Sequence, residues 1–248
     1  DSWGNNFWNV GYDFHFGVAV DDVDFLESLA SFLQSNYQLS SNNTFITGFS
    51  NGGEISYSLA FDGSNVFKAF APVAGTVFPN GTINNLFNPN IPAPMFVTHG
   101  YNDNTSFYDG DLFDQFWGPY LSVDTLVDFW INSNSLNNVI IDTFPDFNND
   151  GNITISKKHF SSLTNNEVWL YAHNNGHNWG DSDIVIEQEI WDFFSLYINN
   201  STQVIELNEN RNLISIYNLL GQEHLNSKNT FLFYQYDNGE VEKKIIID

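Results

Sequence analysis

A serine between two glycines, in Gly48-Phe49-Ser50-Asn51-Gly52, sits where a β-rich run meets a helical one. Thr44 to Thr47 is β-branched and aromatic, and Glu54 to Phe61 reads as a helix. A strand turning sharply into a helix at Gly-x-Ser-x-Gly lifts the serine hydroxyl to the tip of the turn, a nucleophile elbow. Glycine is expected at both flanking positions, because Cβ atoms there would collide. The helix that follows directs the positive end of its dipole at any oxyanion formed on the serine. A serine attacks an acyl carbon only when a base takes its proton and an acid orients that base.

Both partners can be placed from the sequence. Asp103 lies in His99-Gly100-Tyr101-Asn102-Asp103, just after the apolar run from Met95 to Thr98. His177 lies in Asn174-Asn175-Gly176-His177-Asn178-Trp179, after a second apolar run near 167–172. In open α/β sheets, chemistry collects beyond the C-terminal ends of strands. The chain order Ser50, Asp103, His177 is the nucleophile–acid–base order of α/β hydrolases. In this reading His177 accepts the Ser50 proton and Asp103 fixes the imidazole tautomer. Trp179, beside the base, is a candidate for the substrate-site wall.

These residues need a frame. Asp21-Asp22 opens a helix with Leu26, Leu29, Ala30, Leu33 and Tyr37 on one face. Short apolar strands are expected over 68–74 and 94–99, and a proline-bearing loop over 76–93. Ser122 is expected to cap a helix carrying Val123, Leu126, Val127 and Trp130. Strands near 139–142, 153–160 and 167–172 follow, then a helix from Asp183 to Ile198. This alternation predicts a mostly parallel sheet with helices on both faces. After Asn199-Asn200-Ser201-Thr202 the pattern changes, so the predicted division is a catalytic domain over 1–198 and a small β module over 203–248. In that module Asp237-Asn238-Gly239 separates two alternating runs, a type I′ hairpin signal.

Composition narrows the function. Seven Lys+Arg against 30 Asp+Glu give a formal charge of −23, which leaves no basic footprint for nucleic acid. With no cysteine, a thiolate nucleophile, thiolate metal ligands and disulfides are excluded. No apolar run approaches the length of a membrane span. The acidity suits a neutral substrate.

The blocks Asp21-Asp22-Val23-Asp24-Phe25-Leu26, Ile46-Thr47-Gly48-Phe49-Ser50-Asn51-Gly52-Gly53, Phe70-Ala71-Pro72-Val73-Ala74-Gly75, His99-Gly100-x-x-Asp103 and Gly176-His177-x-Trp179 stand in one order. Together they resemble the secreted polyhydroxybutyrate depolymerase and feruloyl esterase group, α/β-hydrolases of carbohydrate esterase family one. The resemblance covers roughly residues 1–198. It implies ester hydrolysis through an acyl-enzyme, on aryl, acetyl or polyester bonds, with Ser50, Asp103 and His177 as the triad. It also implies the Asn51 N–H as one oxyanion donor, and no cofactor. The family carries further strands, and a His-Gly loop with a second oxyanion donor, ahead of the segment matching Trp8-Asn9-Val10-Gly11. This chain is therefore expected to be an N-terminally truncated piece of a longer reading frame. It also departs from the family in having Trp179-Gly180 where Trp-Pro-Gly is usual, and in lacking the family's cysteines.

The tail, from Ile214-Ser215-Ile216 to Gln222-Glu223 and on through Asn238 to Ile247, is similar to a shortened C-terminal sorting domain of type IX secretion. That implies a bacterial secreted or cell-surface protein with the secretion machinery as a partner, while the esterase resemblance implies a plant cell-wall or polyester substrate. Rival readings are a non-catalytic surface binding protein or degenerate hydrolase, and a serine peptidase of similar fold. Asp146-x-Asn148-x-Asp150-Gly151 fits the first half of a calcium loop, but the twelfth position is Lys157 and the flanks read as strands, so no metal is expected. His173 and His177 are spaced i, i+4, yet Asn174-Asn175-Gly176 between them does not present one helical face. His99 is expected to pack or hydrogen-bond at its strand end, and His15 and Trp8 to line the pocket or cover the core.

Overall fold

A computed structural model describes residues 6–15, 17–79, 92–199, 212–218, 221–223 and 231–245. Most of the expected 76–93 loop, and the tail residues Ile246 and Ile247, lie outside the described residues. The chain divides into two compact units, Asp1–Phe32 with Ser40–Asn199, and Leu33–Leu39 with Asn200–Asp248.

The larger unit is built on a six-stranded sheet. Its strands are β1 (Ile46–Phe49), β2 (Phe70–Val73), β3 (Met95–Gly100), β4 (Asn138–Thr143), β5 (Thr154–Phe160) and β6 (Val168–His173), in the spatial order β1-β2-β3-β6-β5-β4. The helices are α1 (Asp22–Tyr37), α2 (Asn51–Phe61), α3 (Val123–Ser133) and α4 (Ile186–Ser195). β1, β2, β3 and β6 run parallel. β5 is antiparallel to both β6 and β4. The mostly parallel expectation therefore holds, with β5 the one strand that runs against the others. The ten or so residues between β4 and β5 are too few for a crossover helix, so that edge closes as a hairpin.

Alternation along the parallel strands splits the core into two layers. Met95, Val97, Val168, Leu170 and Ala172 face a cluster with Tyr57, Leu59 and Phe61 of α2 and Leu126 and Trp130 of α3. Phe96, Trp169 and Tyr171 face the other way, onto Ile186, Ile190 and Phe193 of α4. The sheet is thus covered on both faces. Ser122 caps α3 by accepting from the Thr125 N–H at 3.2 Å, and the four apolar residues expected on that helix are its buried ones.

Two expectations need correction. No residue of α1 is fully buried, and of its predicted stripe only Leu26 and Ala30 pack against the core of this unit. Leu29, Leu33 and Tyr37 are exposed, since an apolar stripe states a capacity for burial and not the presence of a partner. The helix expected from Asp183 to Ile198 is shorter, because the residues before Ile186 are held in turns around Asp181.

The smaller unit contains a three-stranded antiparallel sheet of β7 (Leu213–Asn218), β8 (Phe231–Tyr236) and β9 (Val241–Ile245). Its hairpin turn is not type I′, which needs positive φ at both central residues. Positive φ occurs at Gly239 (88°) but not at Asn238, and the Tyr236 N–H donates to the Glu240 carbonyl. That is a three-residue loop closed by a glycine bulge.

Candidate active site

The residues that could do chemistry collect at the C-terminal ends of β1, β3 and β6. β1 delivers Ser50 into the first turn of α2, where it takes φ 54° and ψ −120°. Its N–H donates to the Val73 carbonyl at 2.8 Å, and its own carbonyl accepts from the Gly53 and Glu54 N–H groups at 2.8 and 3.0 Å. A Cβ on Gly48 would stand 2.5 Å from the Gly52 carbonyl carbon, and one on Gly53 would stand 2.8 Å from the Val73 oxygen. Gly52 is different: a Cβ there would meet nothing within 4 Å. The steric demand expected at both flanks of the serine therefore falls on Gly48 and Gly53, where backbone limbs cross.

The three expected site residues meet. Ser50 Oγ lies 2.9 Å from His177 Nε2, and His177 Nδ1 lies 2.7 Å from Asp103 Oδ2. With Asp103 ionised, Nδ1 carries a proton and donates it, leaving Nε2 free to accept from the serine. The Asp103 side chain is fully buried. Its second oxygen accepts from the Thr105 and Ser106 N–H groups at 2.8 and 2.9 Å. Burial pushes this carboxyl up, but the bonds from His177, Ser106 and Thr105 outweigh it and hold the acid below its usual range.

His99 plays a part that the sequence did not disclose. Its Nε2–H donates to the Ser106 carbonyl at 2.7 Å and lies 3.4 Å from Asp103 Oδ2. It therefore braces the turn that supplies two of the acid's donors. Burial keeps its imidazole below the ordinary histidine range, and so neutral at pH 7.

Asn51 follows Ser50 on the first turn of α2, with its N–H at the helix N-terminus. Its side chain has a further connection. Oδ1 accepts from the Trp8 N–H at 2.6 Å, and Nδ2 donates to the Trp8 carbonyl at 3.2 Å. Trp179 is 41 % exposed and stacks on Phe49 at 5.7 Å, while the Phe49 ring meets His177 at 4.8 Å. It backs the base through Phe49 and is not among the residues around the cavity at Ser50. That cavity, about 40 Å³, is walled by Phe7, Tyr12, Glu54, Phe78, Trp117 and Tyr120, together with Thr105 and Ser106. Of the two opening-segment residues singled out in the sequence, His15 stacks on Tyr12 and Trp8 on Phe25. Chemically, the arrangement can generate an alkoxide-like serine at an aromatic pocket.

Comparison with known proteins gives partial matches. Over 100 residues the chain is 32% identical to a protein named Probable feruloyl esterase C from Aspergillus niger, covering 40% of this chain and 35% of that one. Over 92 residues it is 30% identical to Probable feruloyl esterase C from Aspergillus clavatus, covering 37% of this chain and 32% of the relative. The matched region spans about a third of the length of these curated relatives. Among solved structures, an acetyl xylan esterase from Aspergillus awamori superimposes with a TM-score of 0.43 at 11% identity, covering 71% of this chain and 67% of that one. No family model matches.

Outside this site, the half calcium loop seen in the sequence has a neighbour from elsewhere in the chain. One carboxylate oxygen each from Asp146, Asp150 and Asp183 lie within 4.8 Å of one another. The Asn148 N–H donates to Asp183 at 3.1 Å and Ser182 Oγ donates to Asp150 at 3.2 Å. His173 does not join His177 as a ligand pair. It is fully buried, and neither ring nitrogen has a hydrogen-bond partner among the described residues.

Proposed function

We propose that this chain carries the catalytic machinery of a serine ester hydrolase that works through an acyl-enzyme on aryl (feruloyl), acetyl or polyester bonds. The observation that supports it most is the continuous hydrogen-bonded line from Ser50 through His177 to Asp103 at the strand ends. In the first half-reaction Ser50 Oγ attacks the ester carbonyl carbon while His177 Nε2 takes its proton. Asp103 stabilises the imidazolium without itself becoming protonated. The oxyanion accepts from the Asn51 N–H at the head of α2. Collapse breaks the ester C–O bond, and His177 returns the proton to the leaving alcohol. Water then repeats the sequence and releases the acid.

The partial likeness to proteins named feruloyl esterase favours an ester over a peptide bond. The charge of −23 favours a neutral substrate, such as an esterified cell-wall polymer or a polyester, over an acidic one. Residues 1–198 would then be the catalytic domain. We further propose that residues 203–248 act as a type IX sorting module, which would make the protein secreted or surface-held and the secretion machinery its partner.

The test is hydrolysis of p-nitrophenyl butyrate and methyl ferulate by the 248-residue chain and by Ser50→Ala. Turnover in the wild type that disappears in the variant is expected. Turnover that survives Ser50→Ala would remove Ser50 from the mechanism.

A further inference from the structure

The proposed reaction makes no use of Glu54, yet this glutamate lines the same cavity as Ser50, one helical turn further along α2. It is 3 % exposed. A buried carboxyl costs several kcal/mol unless hydrogen bonds replace its water, and here they come from other parts of the chain. The Tyr12 hydroxyl donates to Oε2. Asn51 Nδ2 lies 3.3 Å from Oε2 and 3.1 Å from the Tyr12 oxygen. Asn51 also grips both the N–H and the carbonyl of Trp8.

Tyr12, Asn51 and Glu54 thus tie residues 8–12 to the turn that holds Ser50, across 42 or 43 positions of sequence. The strip tied down is a wall of the cavity. The Tyr12 ring meets Phe78 edge-on at 4.8 Å and Trp117 at 5.0 Å, and Phe7 packs on Tyr12 at 5.8 Å.

We propose that Glu54 is a positioning residue of this site: through Tyr12 and Asn51 it latches the strip 7–12 in place as the wall of the acyl pocket beside Ser50. What the wall encloses rests on the ester-hydrolase reading; the latch itself does not. Glu54 contacts no reacting atom, so its loss loosens the pocket and leaves the Ser50–His177–Asp103 line standing. The defect therefore falls on KM, and it grows with an acyl chain long enough to touch the wall.

The test compares the full chain with Glu54→Leu, Glu54→Gln and Tyr12→Phe, reading KM and kcat on p-nitrophenyl acetate and butyrate. Hydrogen–deuterium exchange over residues 7–12 is followed in parallel. Glu54→Leu and Tyr12→Phe are expected to raise KM for the butyrate about tenfold, with kcat changed less than about threefold, and to speed exchange in the strip at least tenfold. Glu54→Gln keeps an oxygen that accepts from Tyr12 and Asn51, and is expected to restore both readouts to within about threefold of wild type. A fall in kcat at constant KM would overturn the positioning role. So would exchange in Glu54→Leu and Tyr12→Phe equal to that of the wild type. Tyr12→Phe leaves α2 untouched, so the latch is judged on it even if Glu54→Leu fails to fold. Absence of turnover in the wild type would sink the ester-hydrolase reading alone, and exchange in the strip would still decide the latch.

Discussion

Asp103 and Glu54 are two buried acids of one site, and their surroundings push them in opposite directions. Asp103, on the loop after β3, receives two backbone N–H groups and the imidazole, which hold it ionised. Glu54, on the first turn of α2, is pushed up to about 7 by burial, although Tyr12, Asn51, His177 and Thr76 offset part of that. Two carboxyls with separated titrations in one site take separate roles. One is fixed as an anion to orient the base. The other keeps its proton more readily and serves as a structural tie.

The largest effect that could break this contrast is on turnover. Asp103→Asn is expected to lower kcat on p-nitrophenyl acetate by ~10⁴, because an amide leaves His177 in the wrong tautomer. A loss below about tenfold would mean that another group, Glu54 included, can orient the imidazole.

Stability against pH separates the two acids next. Asp103 titrates lower in the folded chain than unfolded, so its contribution is present above the unfolded carboxylate range and is lost as pH falls through its folded value. Glu54 runs the other way. Its raised titration favours folding below about 4.5, and that advantage disappears as pH rises through about 7. Urea unfolding at pH 5 and pH 8 should therefore show Glu54→Gln gaining on the wild type, by on the order of 3 kcal/mol between the two conditions. A constant difference would place Glu54 at an ordinary carboxylate titration.

The smallest effect concerns His173. Burial, together with repulsion from His99, lowers it to about 4, against some attraction from Asp181 and Asp103. It folds neutral and must gain a proton on unfolding in acid, so stability is lost as pH falls from 6.5 through about 4. Replacement by leucine should flatten the acid limb over that window by about 2 kcal/mol. An unchanged limb would assign acid lability to other groups.

Much of the site was legible because its signals are local. Ser50 declares itself through the strand before it and the helix after it, and Asp103 and His177 through the apolar runs that precede them. Their order along the chain then joins them. The latch was not legible. Glu54 reads as an ordinary first-turn acid welcomed by the helix dipole, and only the fold brings Tyr12 to it from 42 positions away. His99 was readable as a strand-end histidine but not as a brace for Ser106. For Gly52 the motif pointed at the wrong glycine, since collision depends on which backbone limbs cross. The antiparallel edge formed by β4 and β5 was equally hidden, because apolar alternation carries no strand direction.

The conformation of Ser50 sets stability against chemistry at a single residue. At φ 54° and ψ −120° a side chain is strained, by about 1–3 kcal/mol, where glycine would rest freely. Ser50→Gly should therefore give a chain that melts higher and hydrolyses nothing. Selection for thermal endurance alone would discard the nucleophile, so screens for hardier variants of this protein need an activity readout beside the melting curve.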